Sequence, residues 1–430
     1  MKIVQITPGS GDNFYCENCL RDAALVTAMH KLEHEVTLLP MYLPLQVNDK
    51  EIPYKAPIFF GGINVYLQQK LSIFRKTPRW LDRLFDRPSL LEWASHKAGM
   101  TSAKDLAETT ISMLKGRHGR QIKELNRLIK WLARDENKPR IVILSNVLLI
   151  GLAKPIKERL GAKVICLLQD EDGFLDGLMP PYTKKAWALV TQHSKDVDLF
   201  ISVSEYYANL MQRKLRLDKE RLEVVHMGIS SDGYRTREVM PDVPTIGYLS
   251  RMCPERGLDT LIDAFIRIKK IEKLNNTKLR IAGGKSSADE HFLEEIRLKL
   301  SSQGLTNDVE FLPSFEHATK LEFLHSLSVL SVPEKKPVAY GLYVLEALAS
   351  GVPVVEPTIG VFPELLETTG GGVLYQDNTA DGLADAIQPL LLDPDYAHKL
   401  GQKGRNAILE TFRIDHTAEK MLRIFERIIH

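Results

Sequence analysis

Twice along this chain an apolar strand runs into a turn-rich loop, a helix and a second apolar strand, and that repeated unit restricts the fold more than any other feature. The first copy is Lys2 to Ile6, the loop Thr7-Pro8-Gly9-Ser10-Gly11-Asp12, a helical pattern from about Glu17 to Leu32, and His34 to Leu39. Strands joined in this way by a helix lie parallel in one sheet. The alternation continues with Ile141 to Leu144, a helical stretch to about Leu160, Lys163 to Leu168, Leu199 to Val203 and a helix from Tyr206 to Leu215. A polar, Pro-containing stretch from about Ser230 to Pro244 follows, and the pattern then restarts. Its second copy has strands at Thr245 to Leu249, Lys278 to Ala282 and Val309 to Leu312, with helices at Thr260 to Lys270 and Asp289 to Ser301. The expectation is two doubly wound α/β domains joined by a linker, with ligands in a cleft at the carboxyl ends of both sheets.

Length agrees, since 430 residues at about 100 to 200 per domain call for two or three domains. No stretch approaches the roughly 18 uninterrupted apolar residues of a membrane span. The opening Met1-Lys2-Ile3-Val4-Gln5-Ile6 passes straight into a strand without the apolar region of a secretory signal, so a cytoplasmic location is expected. A net charge of +2 gives no global electrostatic case for nucleic acid. Four cysteines make no disulfide framework in a chain this long. Cys16 and Cys19 form the one close pair, a redox pair or half of a metal site on one reading; no second Cys or His pair completes a zinc set, and no metal is expected.

Between about 70 and 138 the pattern turns helical and basic, with Arg75, Lys76, Arg79, Arg83 and Arg87 interleaved with Phe74, Trp80, Leu84, Phe85 and Trp93. Such an insert suits peripheral contact with an anionic membrane or an acidic or lipid-linked acceptor. A solvated helix pair with one apolar face is the plainer reading, and Asp82, Asp86 and Glu92 favour it by diluting the charge.

Three segments carry chemistry. The loop Gly9 to Asp12 follows a strand and opens towards a helix, where backbone amides and the helix dipole favour a phosphate; an ordinary tight turn is the alternative, because Phe14 breaks the GxGxxG pattern. Arg251 and Arg256, in the run from Gly247 to Phe265, stand on the loop after a strand at the head of a helix. They either clamp a pyrophosphate or are two surface arginines. In the run Gly341 to Val355 a glycine opens an apolar helix whose free amides can receive phosphate, and Glu346, flanked by Leu345, Ala347 and Leu348, can accept hydrogen bonds from ribose hydroxyls.

With these motifs in order, the chain resembles glycosyltransferase family 4, the retaining GT-B enzymes. The likeness spans both halves: the first strand and loop with His34-Glu35-Val36, Ile201 to Glu205, Val224 to Ile229, Arg251 to Phe265, Leu279 to Gly284, and Val332 to Leu374 including the turn Gly360 to Glu364. The resemblance implies two Rossmann-like domains facing a central cleft. Residues 1–240 would form an acceptor-binding domain carrying the basic insert, 241–412 a nucleotide-sugar-binding domain, and 413–430 a helix crossing back to the first. It also implies that Arg251 and Arg256 bind the donor pyrophosphate, Glu346 the ribose, and the amides of Gly341 and Leu342 a phosphate, with Gly9 and Gly11 facing the same phosphates. The partners would be a nucleotide-diphosphate sugar and a carbohydrate or lipid-linked acceptor, with no cofactor beyond the donor.

The sequence departs from the family pattern at three places. Arg256 stands for a lysine, Val338 for the first glutamate of the E-x7-E motif, and Gln169 for a frequent histidine. Gln169 opens an acidic cluster, Asp170, Glu171 and Asp172, just beyond an apolar strand. Asp170, Glu171 and Asp172 either orient an acceptor hydroxyl, or bind a cation, or make a solvated turn and helix cap; acceptor contact is expected of Gln169, Asp170 and Glu171, with Glu171 in a catalytic role. The expected activity is sugar transfer in polysaccharide or glycolipid assembly, by a retaining route in which the diphosphate leaves and no side-chain nucleophile takes part. A degenerate GT-B protein that binds nucleotide or glycan, or scaffolds a partner, is the alternative.

Overall fold

The computed structural model describes residues 1–8, 17–42, 59–60, 65, 68–69, 103–235, 240–312 and 317–429. The chain divides into two compact units, Met1–Met227 with Thr417–His430, and Gly228–His416.

Unit 1 runs β1 (Lys2–Thr7), α1 (Glu17–Lys31), β2 (Glu35–Pro40), α2 (Ala103–Leu114), α3 (Ile122–Leu132), β3 (Ile141–Leu144), α4 (Ala153–Leu160), β4 (Lys163–Leu168), α5 (Asp172–Asp176), α6 (Tyr182–His193), β5 (Leu199–Ser202), α7 (Glu205–Leu215) and β6 (Leu222–Val224). All its strand pairs are parallel, in the order β2-β1-β3-β4-β5-β6. Central strands such as Ile141–Leu144 and Lys163–Leu168 are apolar on both faces and buried along almost their whole length, because helices cover a parallel sheet on each side. The chain leaves β1 towards β2 and returns to the other side at β3, so the switch point lies between β1 and β3.

Unit 2 repeats the scheme with β7 (Thr245–Leu249), α8 (Leu258–Ile268), β8 (Lys278–Ala282), α9 (Glu290–Ser302), β9 (Val309–Leu312), α10 (His317–His325), β10 (Val329–Leu330), α11 (Leu342–Ala349), β11 (Val354–Pro357), α12 (Phe362–Thr369), β12 (Gly372–Tyr375), α13 (Ala380–Leu392) and α14 (Pro394–Thr411). Its parallel order is β12-β11-β10-β7-β8-β9, and its switch point falls between β7 and β10. The last helix, α15 (Ile414–Ile429), starts in unit 2 and continues in unit 1. Ala418, Met421, Leu422 and Phe425 are buried along it at helical spacing. Thr417 donates to the His226 carbonyl at 3.0 Å and Lys420 to that of Val224 at 2.9 Å, which fastens the helix beside strand β6.

Most of the basic insert, from 70 to 102, lies outside the described residues; α2 and α3 are its helical remainder. Gly9, Gly11 and Cys16 are also outside them, as is the side chain of Cys19. Among the described residues no helix is long and apolar enough to cross a membrane.

Candidate functional site

At the switch point of unit 2 the loop after β7 carries both arginines and is stitched to the loop after β10. Tyr248, fully buried, donates its hydroxyl to the carbonyl of Arg251 at 2.8 Å and lies 3.4 Å from that of Arg256, so one ring spans the whole turn. Gly257 has φ +68°, and a Cβ there would stand 1.9 Å from the Pro333 carbonyl oxygen; the two loops meet only because this residue is glycine. The Lys335 amide donates to the Glu255 carbonyl at 3.1 Å, and the Asn378 amide side chain to that of Glu334 at 2.8 Å.

Both guanidinium groups are held on carboxylates. Arg251, its side chain 46% exposed, reaches Asp289 through Nε at 3.1 Å and through Nη2 at 3.0 Å, and Ser286 Oγ at 3.0 Å. Burial works to raise the Asp289 pKa, but hydrogen bonds from the Ser286 hydroxyl and amide and from Arg251 hold it below the usual aspartate value. Arg256, 31% exposed, donates to Glu334 Oε1 at 2.5 Å, and that carboxylate is 2% exposed. A second buried carboxylate, Glu356, follows in β11 and accepts from the Val332 amide at 3.3 Å and the Tyr343 hydroxyl at 3.5 Å. Burial pushes its pKa well up, the amide opposes this, and the charge of Glu334 pushes it further in the same direction.

Gly341 is the N-cap of α11 and no side chain caps it; its carbonyl takes the Val344 amide at 3.0 Å, and the amides of Leu342 and Tyr343 precede that first bond of the helix. Glu346, one turn in, is buried and accepts from the Tyr234 hydroxyl at 3.0 Å and from the Lys320 ammonium. Val338 is also buried, and its carbonyl accepts from the Val361 amide at 3.1 Å. Glu334, four residues earlier, accepts from Arg256.

Unit 1 gathers polar groups at its own switch point. Asp22 near the start of α1 accepts from Thr7 at 2.9 Å, from Ser145 at 2.5 Å and from Gln169 at 3.4 Å; Thr7 ends β1, and Ser145 and Gln169 directly follow β3 and β4. Burial raises the Asp22 pKa against the charge of Arg21, whose guanidinium also donates to the Gln169 side-chain Oε1. Glu171 turns inward and accepts from the amides of Gln169 at 2.6 Å and Val147 at 3.4 Å, tying the loop after β4 to the one after β3. Burial pushes its pKa up to about 7 despite those amides. Asp170 between them has φ +78° and is half-buried. Gln169 and Glu171 therefore come together in the backbone of the site, with carboxylate and amide engaged by protein.

Sequence reasoning passed over Arg21, Asp22, Tyr234, Lys320 and Glu356. Only Glu356 left a local signal, a charge inside the apolar run Val354-Val355-Glu356-Pro357. Among the described residues no three His, Cys, Asp or Glu side chains are grouped to hold a metal.

Residues 109–232 match the family model described as Glycosyltransferase Family 4, and residues 235–407 the one described as Glycosyl transferases group 1. A GDP-mannose-dependent alpha-(1-6)-phosphatidylinositol monomannoside mannosyltransferase of Mycobacterium tuberculosis is 29% identical over 217 residues, 46% of this chain and 54% of that protein. The chain spans about half the length of the curated relatives it matches. Sucrose-phosphate synthase from Thermosynechococcus elongatus shares the fold over 100% of this chain and 99% of its own, with a TM-score of 0.72 at 16% identity. The Anabaena protein HepE, crystallised with UDP, does so over 99% and 100%, with a TM-score of 0.69 at 14% identity.

Proposed function

Because the chain belongs to glycosyltransferase family 4 and has the GT-B fold, we propose that it moves a sugar from a nucleotide-diphosphate sugar to an acceptor hydroxyl with retention at the anomeric carbon. The observation that carries this reading is the pair Arg251 and Arg256, fixed by Tyr248 beside the uncapped first turn of α11 at the switch point of the second sheet. Parallel α/β sheets take their ligands at that point, and helix amides there favour phosphate.

The chemistry asks for charge stabilisation more than for a nucleophile. As the bond from the anomeric carbon to the diphosphate oxygen breaks, negative charge grows on the diphosphate, and fixed guanidinium and amide donors lower the barrier by meeting it. Both arginines hold carboxylates in the free protein, so the donor takes the place of Asp289 on Arg251 and shares Arg256 with Glu334. The acceptor oxygen forms its new bond on the face the diphosphate leaves and passes its proton to the departing phosphate oxygen. Glu346, steadied by Tyr234 and Lys320, accepts from the ribose. Gln169 and Glu171 fix the loop that presents Asp170 to the acceptor. The mycobacterial relative named for a phosphatidylinositol monomannoside supports a lipid-linked acceptor, met by a protein in peripheral contact with a membrane.

A panel of nucleotide sugars should contain one that raises the melting temperature in proportion to its concentration. Arg251→Ala should lower transfer from that donor by about a hundredfold or more. Unchanged affinity and rate in the variant would sink the assignment. A second reading rests on Val338, whose buried valine supplies no polar anchor for sugar hydroxyls. Nucleotide binding with neither transfer nor donor hydrolysis across the panel would select a binding protein instead.

A further inference from the structure

On unit 1, α2 and α6 pack side by side and leave a cavity of about 580 Å³ between them. Glu108 stands on α2 and Lys115 just past its end, and Tyr182 and Lys185 lie three apart on one face of α6. His118 and Arg120, on the turn that leaves α2, also line it, with Gln69 and Ser112, and Arg120 donates to the Gln69 carbonyl at 3.0 Å. The volume is that of a small-molecule site rather than a macromolecular groove.

Its charge is one-sided. Glu108 is the single carboxylate of the lining. It accepts from the Tyr182 hydroxyl at 3.3 Å and lies 3.6 Å from the Arg120 guanidinium, so its charge is already matched. Lys115 and Lys185 also line the cavity, and neither has a carboxylate partner among the described residues. The Lys185 ammonium is 5.8 Å from the centre of the Tyr182 ring, which leaves its hydrogen-bond donors for another acceptor. Two exposed ammonium groups without a carboxylate partner, one past the end of α2 and one on α6, call for an anion with several oxygens.

The cavity is also on the ligand-binding side of its sheet. α3 begins just after Arg120 and leads into β3, while α6 follows β4. Helices joined to parallel strands run antiparallel to them, so the starts of α3 and α6 both stand at the carboxyl end of the sheet. The turn is held there tightly: a Cβ on Gly116 would lie 2.1 Å from the carbonyl oxygen of Gly151, in the short 3-10 turn that leaves β3.

We infer that this cavity is an anion site for a phosphate ester on the acceptor, with Lys115 and Lys185 as its charge contacts and Arg120 shared between Glu108 and the phosphate. As an acceptor site it rests on the transfer reading above; as an anion site it does not. A near-neutral chain and the small size of the cavity argue for a single phosphate group rather than a polyanionic strand. The phosphate can belong to a soluble polyol phosphate or to a lipid headgroup, and binding separates the two.

The full chain is titrated with glycerol phosphate against glycerol, and with vesicles of phosphatidylcholine and phosphatidylglycerol against phosphatidylcholine alone. One phosphate probe should bind above its neutral control, weaken with added salt, and lose roughly thirtyfold in affinity when Lys115→Gln and Lys185→Gln are combined. The pair Lys115→Arg and Lys185→Arg should bind within a few-fold of the natural protein. Binding of glycerol phosphate alone assigns a soluble ester, and binding of the charged vesicles alone a headgroup. Absence of binding by both probes, equal binding by the Gln pair, or equal loss in the Arg pair overturns the inference. No donor and no turnover enter the readout, so its failure is distinct from a failure of sugar transfer.

Discussion

At the switch point of the first sheet Asp22 and Gln169 are almost fully buried, and they share their hydrogen bonds with Thr7, Ser145 and Arg21. At the switch point of the second, Arg251 and Arg256 keep 46% and 31% of their side chains exposed while resting on Asp289 and Glu334. Both sheets arrive there with parallel strands and the same kind of crossover. In unit 1 the polar side chains close the edge of the sheet by binding one another, whereas in unit 2 buried carboxylates hold cations up to the surface. One arrangement sets loops; the other stores ligand-ready charge.

Three substitutions test that contrast. The largest effect is expected for Asp22→Ala, which leaves the Thr7 and Ser145 hydroxyls and the Gln169 amide without their shared acceptor and the Arg21 charge without the carboxylate beside it. Loss of one partner from a buried charged cluster costs about 3 to 5 kcal/mol. Hydrogen exchange in Lys2–Thr7 should speed up accordingly, and an unchanged rate in that strand would remove the structural role assigned to the cluster.

Glu171 comes next. Its pKa rises from 4.5 to about 7, so between those values the folded unit keeps a proton that the unfolded chain gives up. The stability this group contributes is complete below the lower value and is lost as the pH passes the upper one, a span of up to about 3 kcal/mol. Glu171→Gln keeps an oxygen for the two amides and cannot ionise. Thermal unfolding followed from pH 4.5 to 7 should therefore be flatter in the variant, and parallel curves would mean that this carboxyl does not titrate in that range.

The smallest effect belongs to unit 2. Glu334→Gln removes the charge that offsets Arg256, so a nucleoside diphosphate should bind about fivefold tighter, an ion-pair effect of about 1 kcal/mol at a partly exposed site. Calorimetry at low and high salt reads it directly. Weaker binding would show that the carboxylate orients the guanidinium more than it neutralises it.

The fold was open to a reader of the sequence because parallel strands buried on both faces must be continuous apolar runs, as Ile141–Leu144 and Lys163–Leu168 are. Glu346 was legible for a related reason, since apolar neighbours on every side of a helical carboxylate leave it nowhere to go but inward. The partners were not legible. Arg256 and Glu334 lie 78 residues apart and meet only through the pairing of β10 with β7. The acidic run at 170–172 left acceptor contact, a cation and a solvated turn open in the sequence, and the inward turn of Glu171 beyond the positive φ of Asp170 had no local signal. Arg21 and Asp22 look like the polar face of a helix, and their partners Ser145 and Gln169, where the loops after β3 and β4 begin, are more than a hundred residues away in sequence.

Helix α15 has a bearing on how the protein is made. It lies beside edge strand β6, yet Thr417 is translated 191 residues after the His226 carbonyl that it binds. At about 5 to 20 residues per second the ribosome needs roughly 10 to 40 s to bridge that interval. Throughout it the nascent first unit presents the apolar seat of Met421 and Phe425 and the margin of β6 to the surrounding solution. Unit 2, continuous in sequence, has no such wait. The first unit to be started is thus the later one to be completed, and during synthesis it is the half of the molecule most in need of a chaperone.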